Sequence, residues 1–159
     1  MTDPHEEATI VIVGDRRLAR TAELAHLLED RFRVVTYEGD DLGDLAGAIG
    51  TSHGPVSVVG VAGGAALALE AAASLMVDRV ALCEPVLGRG RVAIADQPAL
   101  LLSCGEPGTP PRRIARALWR LLPDCELREL PDGKADPFVV AELLEDFFAF
   151  PALAGAARS

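Results

Sequence analysis

Aromatic residues are scarce in this chain, at 4% of 159 residues, so its core must be filled with aliphatic side chains. Half of all residues are hydrophobic, mostly Ala, Val and Leu, a supply that suits helices packed on a sheet. Cysteine is equally sparse. Cys83, Cys104 and Cys125 are odd in number and form no Cys-x-x-Cys pair, which argues against a disulfide framework or a zinc site and points to buried thiols in a reducing cytoplasm. Positive charge is in deficit: the formal net charge of -9 and pI near 4.7 disfavour a nucleic-acid partner or an anionic membrane surface. Long unbroken apolar runs are missing too. Residues Val56 to Val77 come nearest, but Gly60, Gly63, Gly64 and Glu70 interrupt them, so they read as strand, turn and helix and not as a membrane span. The opening MTDPHEEA has no charged-then-apolar secretory pattern. Residues 1–7 are expected to be a disordered lead and 151–159 a flexible tail, around one domain at 8–150.

Short Val/Leu/Ile runs alternate with segments of helical periodicity, the pattern of a parallel sheet covered on both faces. Strands are expected at Thr9 to Val13, Arg33 to Tyr37, Val56 to Val61, Arg79 to Cys83, Ala99 to Cys104 and Glu126 to Leu130. The last alternates polar and apolar residues and should be an edge. Helices fall between them. The first, Leu18 to Glu29, should turn Leu18, Ala22, Ala25 and Leu28 inward. The second, Leu42 to Ile49, is weaker, while Ala65 to Met76 is the most apolar and should be among the most buried. Thr109-Pro110 and Asp136-Pro137 each read as an N-cap followed by a first-turn proline, opening helices with Ile114, Leu118 and Leu121, and then Val140, Leu144 and Phe147, toward the sheet.

The segment Gly60-Val61-Ala62-Gly63-Gly64, set between a strand and a helix, resembles the nucleophile elbow of the α/β-hydrolase superfamily, Gly-x-Ser-x-Gly, in which small flanking residues let a strained turn lift a serine above the sheet. The likeness runs from about Ala8 to Phe150. It takes in Arg31-Phe-Arg-Val-Val-Thr-Tyr and Asp78-Arg-Val-Ala-Leu-Cys-Glu-Pro as core strands, and Gly105-Glu-Pro-Gly-Thr-Pro-Pro as the loop that would carry the acid. The resemblance implies a three-layer α/β/α sandwich on a six-stranded, mostly parallel sheet. A minimal version is expected, without the family's opening hairpin and with a loop after Pro85 too short for a cap domain.

The departures all concern chemistry. That family's reaction needs a nucleophile, a histidine to activate it and a carboxylate to orient the histidine. Here Ala62 stands for the serine, Lys134 for the histidine and Glu106 imperfectly for the acid, while Val13-Gly14-Asp15 replaces the opening His-Gly of the oxyanion loop. His5, His26 and His53 fall at the wrong positions and read as surface residues.

In doubly wound sheets ligands bind beyond the carboxyl ends of the strands, where strand order reverses. That edge should carry Asp15, Glu38, Asp40, Ala62, Glu84, Glu106, Asp132 and Lys134. No metal or cofactor is expected: the carboxylates are spread over several strands, and Gly60, Gly63 and Gly64 do not form Gly-x-Gly-x-x-Gly. The amide of Gly63 at a helix start, with one from Asp15 or Arg16, forms an oxyanion-type pocket or else merely allows tight packing. Candidate ligand-binding residues are thus Gly14, Asp15, Arg16, Ala62, Gly63, Glu84, Glu106 and Lys134. The leading expectation is a non-hydrolytic protein that binds a small apolar or carbonyl-containing ligand, a protein partner or a second copy of itself. Its rivals are a non-covalent cyclase- or isomerase-type enzyme using Asp15, Glu106 or Lys134 as acid or base, and an esterase or thioesterase whose nucleophile lies elsewhere.

Overall fold

A computed structural model describes residues 8–14, 19–52, 54–88, 92–104, 108–130 and 136–149. Six strands form one fully parallel sheet: β1 (Thr9–Val13), β2 (Arg33–Tyr37), β3 (Val56–Val61), β4 (Val80–Cys83), β5 (Ala99–Ser103) and β6 (Cys125–Glu129), in the order β2-β1-β3-β4-β5-β6. The inner strands are buried along their whole length, as continuous apolar runs demand, and β6 alternates half-buried with exposed residues, as befits an edge.

Among the described residues five α-helices cover the sheet: α1 (Ala19–Leu28), α2 (Leu42–Gly50), α3 (Ala65–Ser74), α4 (Pro110–Leu121) and α5 (Pro137–Ala149). Helices α2, α3 and α4 bury Leu45, Leu69 and Leu118 with Val11, Val58 and Leu101 on one face. On the other, α1 and α5 bury Leu24, Leu28 and Leu144 with Ile10, Val59 and Leu100. Helix α3 is the most enclosed, with six of its ten residues buried, which fits its apolar composition.

Four expectations need correction. Ala22 is exposed on α1, and Thr21 and Leu24 turn inward in its place, because α1 leans on α5 as well as on the sheet. Helix α3 stops at Ser74, leaving Met76 92% exposed. Leu121 is exposed at the end of α4 while Leu122, which leaves the helix with extended backbone, is buried. Arg79 precedes β4 instead of opening it. Its buried guanidinium donates from Nη1 to the Phe147 carbonyl at 2.8 Å and lies 5.1 Å from the Phe147 ring, so a charge at the base of the sheet caps the carboxyl end of α5.

The β4–β5 connection contains no helix among its described residues. No described helix is long and apolar enough to cross a membrane.

Candidate functional site

Strand order reverses between β1 and β3: the chain leaves β1 toward β2 on one side and returns to β3 on the other. Their carboxyl ends therefore flank the crevice where ligands bind in sheets of this kind. Gly14 follows β1 and Ala62 follows β3. A Cβ built on Gly14 would lie 3.3 Å from the Val61 Cβ, so the two ends approach closely.

The turn after β3 is built by steric necessity. Ala62 has φ of 50°, in the left-handed region that a side chain avoids at a cost of roughly 1–2 kcal/mol. Its glycines are dictated by contact. A Cβ on Gly60 would sit 2.8 Å from the Ala68 Cβ and 2.9 Å from the Ala65 Cα, and one on Gly64 would sit 2.1 Å from the Val13 carbonyl oxygen. Gly60 thus lets α3 lie on β3, and Gly64 seats the turn on the end of β1. Gly63, by contrast, faces open space, so nothing steric demands glycine there. One 3-10 turn, Ala62–Gly64, leads into α3, whose axis begins at the crevice. The Ala62 carbonyl accepts from the Ala65 N–H and, at 3.1 Å, from the Val86 N–H beyond β4.

Glu84 is the second non-glycine residue in the left-handed region among the described residues, with φ of 51°. It follows β4 as Ala62 follows β3, since Val61 and Cys83 are paired in register. Its N–H donates to the Leu102 carbonyl at 2.9 Å, and its Oε1 accepts the Cys104 N–H. The half-buried carboxylate therefore completes the ladder where β5 ends, a role that sequence spacing gave no sign of.

Of the expected site residues, Gly14, Ala62, Gly63 and Glu84 are brought to one edge of the sheet. Asp15, Arg16, Glu106, Asp132 and Lys134 lie outside the described residues, as do His5 and His53. Glu38 and Asp40 are exposed beyond β2, and His26 is exposed on α1, 4.0 Å from Glu29. Cys83 and Cys104 are buried in the core behind the edge. Among the described residues no cluster of three or more His, Cys, Asp or Glu side chains is placed to hold a metal ion.

No protein-family model matches the sequence, and no curated protein matches it. Solved structures do. An α/β hydrolase from Sphaerobacter thermophilus superposes with a TM-score of 0.70 at 18% identity over 90% of this chain and 93% of that one. MenH from S. aureus gives 0.74 at 10% over 94% and 96%, and the enol-lactonase from Burkholderia xenovorans 0.66 at 16% over 91% and 92%. The chain has the α/β-hydrolase fold, in a minimal form.

Proposed function

We propose that this protein is a non-hydrolytic representative of the α/β-hydrolase fold that binds a small carbonyl- or carboxylate-bearing molecule over the ends of β1 and β3 without forming a bond to it. One observation carries the reading: Ala62 keeps the strained φ of 50° that lifts a side chain toward the crevice, yet presents a methyl group there. A methyl group has no lone pair and cannot attack a carbonyl. The turn retains the geometry that would direct backbone N–H groups and the positive end of α3 at an oxygen of the ligand. Gly14 and Gly63 keep side chains out of its way, with Asp15, Arg16, Glu106 and Lys134 as further contacts.

Native mass spectrometry of the freshly isolated full chain, followed by calorimetric titration with a series of short-chain carboxylates, tests this. Binding is expected in the wild type and should be lost in Ala62→Leu, whose longer side chain fills the crevice. Absence of a retained or titratable ligand, or binding indifferent to Ala62→Leu, would overturn it.

Glu84 favours a second reading. A second left-handed residue next to Ala62 at the same edge suits a non-covalent acid–base enzyme acting on a carbonyl substrate, with Asp15, Glu106 or Lys134 as acid or base. That reading predicts that Ala62→Ser leaves turnover intact while one change among those carriers abolishes it. Esterase activity, the direction in which an enol-lactonase neighbour points, needs a reactive serine elsewhere. A fluorophosphonate probe would label it in the wild-type protein.

A further inference from the structure

We propose that two copies of the chain associate through the open edge of β6, antiparallel and centred on Leu127, so that the sheet continues across a two-fold axis. Among the described residues β6 pairs with β5 alone. The Ala99 N–H donates to the Asp124 carbonyl at 2.9 Å and the Leu130 N–H to the Ser103 carbonyl at 2.7 Å, so the even-numbered residues of this stretch direct their backbone groups at β5. Because such groups alternate along a strand, the N–H and C=O of Cys125, Leu127 and Glu129 face the open edge. The strand has neither proline nor bulge to blunt it, and an open edge of this kind is a template for another strand.

Charge selects both the occupant and the register. Residues 108–130 hold five arginines against Asp124, Glu126 and Glu129, which makes this stretch positive by two in a chain whose net charge is -9. Two copies of an acidic protein repel least where each is least acidic. At the opposite edge, β2 runs into exposed Glu38, Asp40 and Asp41, and a contact there would bring carboxylates face to face. Along β6 the exposed side chains are Glu126 and Arg128, which neutralise each other within one chain at 2.7 Å. Centring the pair on Leu127 sets Glu126 opposite Arg128 of the second copy, twice over by symmetry. It places them at the non-hydrogen-bonded positions, where facing side chains come closest. Shifting the centre to residue 126 would oppose two glutamates, and to residue 128 two arginines.

Helix α4 supplies the flank. Trp119, the chain's one tryptophan, is 49% exposed beside Arg116, Arg120 and Leu127, and lies with them along a groove of about 470 Å³ between α4 and β6. Tryptophan and arginine are the residues most enriched where interfaces hold their binding energy.

Sedimentation velocity on the full chain is expected to show a dimer. Arg128→Glu and Glu126→Arg, each tested alone, should weaken association about tenfold or more, because two attractive pairs become repulsive. Mixing the two variants should restore a dimer, since each glutamate then meets an arginine. Circular dichroism of each variant checks that it remains folded. A monomeric wild type, a dimer insensitive to both variants, or a mixture that fails to reassociate would each overturn the proposal.

Discussion

The Val86 N–H donates to the Ala62 carbonyl at 3.1 Å, fastening the strained turn after β3 to the loop after β4. Ala62 is thereby held from the side as well as from below, where Gly64 rests against the Val13 carbonyl. The left-handed backbone at Ala62 persists because its neighbours leave the chain no other course.

That origin of the turn separates two substitutions by a wide margin. Ala62→Gly relieves the left-handed backbone but adds freedom to the unfolded chain, and should change stability by no more than about 1 kcal/mol in urea denaturation. Gly64→Ala drives a Cβ into backbone and should cost more than about 3 kcal/mol or prevent folding. Equal losses for the two would mean the turn is not built on this contact.

In the proposed non-hydrolytic reading, Ala62→Ser places a hydroxyl on the elbow with no histidine to take its proton. The variant should fold like the wild type and stay unlabelled by a fluorophosphonate probe, because an unassisted serine is a weak nucleophile. Labelling within minutes would show that a base is already in reach.

Arg79 is buried, and the Phe147 carbonyl and ring both engage it. Arg79→Met keeps the bulk and removes the donor and the charge, leaving the carboxyl end of α5 uncapped. A loss of about 2–3 kcal/mol is expected in chemical denaturation. Arg79→Lys should recover part of it, since an ammonium restores charge but not the planar fork.

Burial, aided by Glu126, pushes the Cys125 thiol up from 9.0 to about 11. Alkylation by iodoacetamide at pH 8 should therefore be slower at Cys125 than at a free thiol, approaching the rate of a full thiolate only above about pH 11. The same shift bears on stability. Between about 9 and 11 the unfolded chain gives up this proton before the folded one, so the folded state binds more protons and its stability falls as pH rises through that window.

Much of the fold was legible because a parallel sheet writes itself into sequence as short apolar runs separated by capped helices. All six strands stand within a residue or so of where the runs predict, and Thr109-Pro110 and Asp136-Pro137 do open helices. The elbow was legible for a stricter reason: the backbone approaches at Gly60 and Gly64 admit no side chain. Helix faces were less legible. Ala22 and Leu121 are exposed because helical period sets only which residues share a stripe, and the neighbouring elements decide where that stripe points.

By itself, then, the sequence determined the layered α/β architecture, the turn at Ala62 and the absence of a serine from it, since period, caps and glycines are local properties of the chain. The tertiary structure decided what depends on distant segments meeting. Glu84 turned out to close the ladder at Cys104, and Arg79 to cap α5. Such pairings arise from strand order and register, which set residues far apart in the chain side by side and leave no periodic mark along it.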